Sequence, residues 1–303
     1  MSTFRAAAVQ MRSGTDIVRN VEALEKLVSD AVAQGAHYVQ TPEMTGAMMR
    51  DRAVFAASLR DESNDLVFNA ASALAKKHGI FLHIGSTAID VGDGKIANRG
   101  SIFAPSGDKI TTYDKVHMFD VDLDNGESWR ESATYEPGKE TVIAELPFAN
   151  VGMAVCYDIR FPQLFRAQAL AGANVITAPA AFTRQTGEAH WHVLQRARAI
   201  ENGAFLISAA QGGLHEDGRE TYGHSLIVSP WGKVLAEAAH DEPAVIVADI
   251  DIAESASARA KVPNLKNARE FSHGHEFEGW FRDNADFDRQ SESKLVSCPV
   301  CNS

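Results

Sequence analysis

Two rhythms of apolar residues alternate along this chain. Residues 4–11 form a short apolar run that predicts a buried strand. Between residues 20 and 34, Val21, Leu24, Leu27, Val28, Ala31 and Val32 recur at helical spacing, and Gly35 ends the pattern. Residues 37–41 then predict a short buried strand closed by Pro42 and Glu43. A second helix carries Leu66, Val67, Ala70, Ala71 and Leu74 on one face and stops at Gly79. Residues 80–86, 99–104 and 110–115 read as strands, joined by the turn chemistry of Asp90-Val-Gly-Asp-Gly94 and Pro105-Ser-Gly-Asp108.

The second half repeats the alternation. Strands are predicted over 151–156, 174–178, 204–209, 225–229 and 244–249, and helices over 163–171 and 188–202. One local echo links the halves. Gly35-Ala-His-Tyr-Val-Gln-Thr-Pro42 and Gly172-Ala-Asn-Val-Ile-Thr-Ala-Pro179 share a layout of helix stop, strand and proline. Such alternation implies sheets covered by helices, in an α/β or layered sandwich architecture.

Composition narrows the partners. A chain of 303 residues with 45% hydrophobic content can bury a large core. Its net charge of −11 argues against nucleic acid and anionic membranes, which need clustered basic residues. No basic-then-apolar leader and no bilayer-length apolar run is read, so the expectation is a soluble cytoplasmic protein. Three cysteines do not make a disulfide framework, and two of them, Cys298 and Cys301, form a lone C-x-x-C.

That leaves Cys156 as the one cysteine in the body of the protein, at the end of an apolar, β-branched run and ahead of Pro162. It reads two ways. A free cysteine is often only a small buried hydrophobe. At the exit of a buried strand it is also well held as a nucleophile, where loops can bring up a base and an oxyanion stabiliser. A thiol near its free pKa needs a base, and none of the eleven histidines stands in a telling relation to Cys156. Glu43, after the strand at Thr41-Pro-Glu-Met44, and Lys115, in Tyr113-Asp-Lys-Val-His117, compete for the part. Either one taken singly also reads as a solvated loop residue.

Together, Glu43, Lys115 and Cys156 resemble the Glu-Lys-Cys triad of the nitrilase superfamily of carbon-nitrogen hydrolases. The resemblance covers roughly residues 4–268. It is carried by Pro42-Glu43, Tyr113-Asp-Lys115-Val-His117 and Gly152-Met-Ala-Val-Cys156-Tyr-Asp-Ile-Arg-Phe-Pro162. Ala189-His-Trp191, Arg196-Ala-Arg-Ala-Ile-Glu-Asn202, Tyr222-Gly-His-Ser225 and Ser229-Pro-Trp-Gly232 add to it. The resemblance implies a four-layer αββα sandwich, at least a homodimer, and no cofactor, since thiol, carboxylate and ammonium suffice for amide hydrolysis.

It also implies roles. Glu43 would be general base toward Cys156. Lys115 and the backbone N–H of Tyr157 would stabilise the oxyanion, and Glu131 would hold Lys115 or the substrate, with Glu127 nearby and less well placed. Arg160 would bind a substrate carboxylate or, the favoured reading, act as a structural ion-pair partner. His190 and Trp191 would begin a helix and border the pocket or pack.

Within the superfamily the Nit branch is the nearest likeness. The layout from Ala209 to Ser225 is similar to that of enzymes that cut the α-keto-glutaramyl bond of deaminated glutathione. An ω-amidase acting on α-ketoglutaramate and an N-carbamoyl amino acid hydrolase stand as alternatives. From a different class stands a catalytically idle regulatory or redox-sensing protein on the same scaffold. Residues 1–268 are read as the hydrolase domain. Residues 269–303 are read as an extension similar to part of a small zinc-ribbon-like bacterial domain, and as a truncated or fused remnant. A four-ligand zinc site there would need Cys298 and Cys301 plus two others, such as His273 and His275, and the remnant without metal is the favoured reading.

Overall fold

A computed structural model describes residues 3–122 and 128–270. The chain divides into two compact units, residues 1–266 and 267–303, and every element named here lies in the first. The first half runs β1 (Thr3–Gln10), α1 (Ile17–Ala33), β2 (Tyr38–Gln40), α2 (Arg52–Ser58), α3 (Leu66–His78), β3 (Phe81–Gly92), β4 (Lys95–Phe103) and β5 (Lys109–Asp114). A small ribbon, β6 (Asp120–Asp122) and β7 (Ser128–Arg130), leads to a 3-10 turn at Glu131–Ala133. The second half runs β8 (Val142–Leu146), β9 (Ala149–Met153), a 3-10 turn at Cys156–Arg160, α4 (Pro162–Leu170), β10 (Val175–Thr177), α5 (Arg184–Asn202) and β11 (Phe205–Ser208). After these come a second ribbon, β12 (Gly212–Leu214) and β13 (Glu220–Tyr222), then β14 (Leu226–Val228), β15 (Val234–Glu237), β16 (Ala244–Asp251) and α6 (Ala253–Lys261).

The strands build two six-stranded sheets, ordered β16-β1-β2-β3-β4-β5 and β15-β14-β11-β10-β9-β8. Each has three parallel strands at its centre, β1-β2-β3 in one and β9-β10-β11 in the other, flanked by antiparallel neighbours. The octapeptide echo therefore falls on matching places: β2 and β10 are the middle strands of the two parallel trios. Because successive residues of a strand point to opposite faces, β1 serves two cores. Ala6 and Ala8 join a core shared with Val151, Met153, Val175, Leu206 and Leu226 of the second sheet and with Phe165 and Trp191 of α4 and α5. Ala7 and Val9 join another, with Leu24 and Val28 of α1 and Phe68 and Leu74 of α3. The result is an α/β four-layer sandwich in which sheet packs on sheet and helices cover both outer faces. A strand buried on both faces reads as a continuous apolar run, which is why β1 shows no alternation.

The helices start and stop on local chemistry. Asp16 caps α1 by accepting from the N–H groups of Val18 and Arg19, and Leu24, Val28 and Ala31 are its buried stripe. Burying each of the larger two contributes about 1.5–3 kcal/mol. Asp65 caps α3 through Phe68 N–H, and Gly79 ends it in the left-handed region at φ 65°.

Three expectations shift. The strand predicted over 151–156 ends at Met153, so Cys156 sits on the 3-10 turn beyond it. The helix predicted from residue 188 begins at Arg184, which puts His190 and Trp191 well inside it. β8, β15, α2 and α6 appear where the hydrophobic pattern marks no element.

Candidate active site

The ends of the two parallel trios meet at one cavity. β2 leads into Pro42 and Glu43, β10 leads into Pro179 and Ala181, and β9 leads into Cys156. Close approach of these loops needs Gly85, because a side chain there would strike the backbone of Thr41 and Pro42 and the ring of Pro179. The chain turns sharply at both catalytic candidates. Among the described residues, four other than glycine have positive φ, and two of these are Met44 (55°), directly after Glu43, and Cys156 itself (48°). Such strain persists only where the surroundings impose it. Cys156 N–H donates to Pro179 O at 2.9 Å, and Met44 N–H donates to Ser86 Oγ at 3.1 Å.

The charged groups converge beside Cys156. Lys115 Nζ lies 2.9 Å from Glu43 Oε1 and 2.8 and 2.9 Å from the two oxygens of Glu131. Glu43 also accepts from Ala181 N–H at 2.8 Å, and its charge acts on the neighbouring Cys156 thiol. Asn98 Nδ2 donates to both carboxylates, at 3.0 Å to Glu43 and 3.1 Å to Glu131. Phe119 N–H closes the set on Glu131 at 2.6 Å. Glu43, Lys115 and Cys156 are buried.

Burial and pairing set the protonation states. Burial alone would raise the Glu43 pKa, but the Lys115 ammonium, the thiol and the Ala181 N–H overcome it and hold the carboxyl below its usual range. Burial opposes charge on Lys115, and the carboxylates of Glu131 and Glu43 reverse that, so its pKa is raised well above that of a free lysine. Burial, followed by the Glu43 charge, pushes the Cys156 thiol well up. The resting site thus holds a neutral thiol beside an ionised carboxylate and an ammonium.

A buried aspartate ties the two motifs together. Asp158 accepts from Tyr113 OH at 2.7 Å, His117 N–H at 3.0 Å and Val155 N–H at 2.8 Å, and contacts His117 Nδ1 at 2.6 Å. The strand carrying Lys115 is thereby fixed to the turn carrying Cys156. Tyr157, second in that turn, has no acceptor three residues back within it, and its N–H makes no other hydrogen bond among the described residues.

The cavity has a volume of about 650 Å³ and is lined by Glu43, Lys115, Glu131, Cys156 and Tyr157, with Asn98 beside them. Met44, Met48, Phe55, Trp129, Arg50 and Arg219 also line it. Arg160 and His190 are not brought to it. The Arg160 guanidinium lies 3.3 Å from His190 Nδ1 and over the rings of Tyr157 (5.9 Å) and Phe182 (5.3 Å), behind the cavity wall. This placement favours the structural reading of Arg160 and a packing role for His190 over direct contact with a substrate. Its ionic partner is not a carboxylate among the described residues. Glu127 and the residues His273, His275, Cys298 and Cys301 lie outside the described residues.

Residues 5–260 match the family described as carbon-nitrogen hydrolase. The chain belongs to the carbon-nitrogen hydrolase family. Its C-terminal residues 269–303 match a second family, described as a protein of unknown function (DUF1178). A deaminated glutathione amidase from Synechocystis is 36% identical over 280 residues, covering 88% of this chain and 98% of that one. Omega-amidase NIT2 from Danio rerio is 35% identical over 275 residues, covering 89% and 96%. The crystal structure of the C. elegans NitFhit protein superposes with a TM-score of 0.81 at 30% identity, over 88% of this chain and 65% of the worm protein. Family membership makes this chain a carbon-nitrogen hydrolase enzyme, and its relatives are named as amidases. Among the described residues no helix is long and apolar enough to cross a membrane.

Asn98, Ala181 and Asp158 were not singled out from the sequence. Asp158 lies inside the quoted cysteine motif and could have been weighed there. Asn98 is one polar residue in a strand, with no spacing that marks it.

Proposed function

We propose that this hydrolase is a deaminated glutathione amidase working through Cys156. Sγ attacks the amide carbonyl carbon as Glu43 takes the thiol proton. The oxyanion forms toward Lys115 Nζ and the Tyr157 N–H. Collapse of the tetrahedral adduct breaks the C–N bond, the amine leaves with the proton from Glu43, and a thioester remains. Water deprotonated by Glu43 then releases the carboxylic acid and restores the thiol. Glu131 fixes Lys115 and exchanges no proton. The observation that carries this reading is the convergence of Glu43, Lys115 and Cys156 on one cavity, with Lys115 Nζ 2.9 Å from Glu43.

Two features support the larger substrate. A cavity of about 650 Å³ is in the range that holds drug-sized ligands and is roomier than a five-carbon ω-amide requires. Its lining includes Arg50 and Arg219, 5.4 and 5.8 Å from the centre of the Trp129 ring. Arg219 is paired with Asp217, whereas Arg50 has no carboxylate partner among the described residues and is placed to meet the terminal carboxylate of the leaving dipeptide. The ω-amidase reading remains as the second, on the 35% identity to the Danio rerio enzyme. We further read residues 1–268 as the catalytic domain, residues 269–303 as an appended module, and the setting as cytoplasmic. Leu170 of α4 with Val193 and Ile200 of α5, all more than half exposed, suit a homodimer contact.

The test is product release from deaminated glutathione, α-ketoglutaramate and an N-carbamoyl amino acid. We expect kcat/KM at least about tenfold higher for the first. Turnover should vanish in Cys156→Ala and Glu43→Gln, and KM for deaminated glutathione alone should rise in Arg50→Gln. Preference for α-ketoglutaramate would shift the assignment to the ω-amidase; turnover persisting in both catalytic variants would remove the mechanism.

A further inference from the structure

Away from the catalytic cavity, three ligating side chains from distant parts of the chain meet. His192 comes from α5, His224 from the segment before β14, and Glu237 from the end of β15. Their ligand atoms all lie within 4.8 Å of one another: His192 Nε2 is 2.8 Å and His224 Nδ1 is 3.0 Å from Glu237 Oε1. None of the three lines the catalytic cavity, and the amidase chemistry uses none of them.

We propose that His192, His224 and Glu237 form a binding site for a divalent cation of the zinc class. Two imidazole nitrogens and a carboxylate oxygen are the donor set that suits this borderline-soft ion. Zinc holds such ligands at about 2.0–2.2 Å, which sets neighbouring ligand atoms roughly 3.3 Å apart in a tetrahedron. The two distances to Glu237 Oε1 need to open by only a few tenths of an ångström. The side chains are between 22 and 33% exposed, so an ion can enter and water can take the fourth position.

The site is built before the ion arrives. His224 is another of the residues held at positive φ (55°), directly after Gly223 at 71°. Its backbone is pinned on both sides, the carbonyl accepting from Trp191 Nε1 at 2.8 Å and the N–H donating to His240 O at 3.2 Å. The Tyr222 ring stacks on His224 at 4.2 Å and meets the edge of His192 at 6.0 Å, so one phenol walls both imidazoles. In the metal-free state each imidazole donates its N–H to Glu237. On binding, the nitrogen facing Glu237 would give up its proton and offer its lone pair to the ion. A bound ion would clasp α5 to β15 across the segment leading into β14.

The experiment uses full-length protein stripped with a chelator and dialysed against Zn²⁺ at neutral pH, with bound metal counted per chain. The tail cysteines are a second potential sink, so four chains are compared: the wild type, His192→Gln, Glu237→Gln and Cys298→Ser/Cys301→Ser. The expected result is one fewer Zn²⁺ bound in His192→Gln and in Glu237→Gln than in the wild type, with amidase turnover kept. The double serine variant should retain that ion. Zn²⁺ should also raise Tm by a few degrees at about a hundredfold excess over Kd, in the wild type and the serine variant only. The proposal is overturned by a wild type that binds no Zn²⁺, by unchanged binding in the His192 and Glu237 variants, or by binding lost only with the cysteines. Co²⁺ in the Cys298→Ser/Cys301→Ser chain gives an independent check: bound Co²⁺ without a sulfur-to-cobalt charge-transfer band is expected, and a chain that binds none, or binds it with that band, overturns the site.

Discussion

The Glu43–Lys115–Glu131 cluster and the His192–His224–Glu237 cluster each join three ionisable side chains from separate elements, yet they are opposites in setting. The first is sealed, with side-chain exposures of 6, 2 and 14%; the second stands open at 33, 22 and 26%. In the sealed cluster every charge depends on its neighbours, because none can turn to water. Lys115 keeps Glu43 ionised, and the Glu131 and Glu43 carboxylates keep it charged. In the open cluster water shares the work, and each contact contributes little on its own. Sealing gives a fixed field at one carbonyl-sized spot beside Cys156. Openness gives reach to something arriving from solvent.

That contrast can be broken by removing one member from each. Lys115→Met leaves two buried carboxylates facing each other; we expect turnover to be lost and stability to fall by about 3–5 kcal/mol in denaturant unfolding. Glu237→Gln should cost less than about 1 kcal/mol in the same measurement. Equal losses would mean that the burial difference does not govern the energetics. A smaller effect is expected at Asn98, whose single amide nitrogen spans Glu43 and Glu131. Asn98→Ala should lower kcat by about 10- to 100-fold with KM little changed, through misplacement of the carboxylates. Asn98→Asp should be worse than alanine, since it adds a third buried carboxylate. A KM effect alone would make Asn98 a substrate contact instead.

The least change is expected across neutral pH. An imidazole base would give kcat/KM an acid limb near about 6.5. Glu43 is depressed by Lys115 against the opposing pull of burial, so it stays ionised well into acid. The sign then follows: activity is present above the ordinary carboxylate pKa of about 4.3 and is lost only as pH falls below it. The raised thiol keeps Cys156 protonated at neutral pH, so no alkaline limb begins before about pH 8.5. A limb centred near 6.5 would take the role of base away from Glu43.

Much of this was legible in the chain, for identifiable reasons. β1, α1, β2, α3 and α5 carry long periodic or continuous apolar patterns, and those patterns are set by the cores they enter. The strand expected to reach Cys156 stops at Met153, although Ala154 and Val155 remain apolar and buried. Val155 gives its N–H to the Asp158 side chain rather than to a neighbouring strand, a tertiary contact that hydrophobicity does not encode. Glu43, Lys115 and Cys156 could be named because each sits in a distinctive local context past a strand. Asn98 could not, since its importance lies in two partners 55 and 33 residues away. His192, His224 and Glu237 were equally invisible, having no common spacing until α5 and the second sheet bring them together. Arg160 was named for its nearness in sequence to Cys156, but the 3-10 turn carries it behind Tyr157.

The pairing of β1 with β16 has a consequence for how the protein is made. β1 lies far upstream of residues 244–251, with which its outer edge pairs along its whole length. Until those are translated, the first sheet leaves the ribosome with one flank unpaired, its N–H and C=O groups offered to any passing strand. Contacts this distant in sequence also form late and slowly. The catalytic loops can be complete in sequence while the sheet beneath them still lacks its border, so the last strand acts as the closing seam of the nascent enzyme.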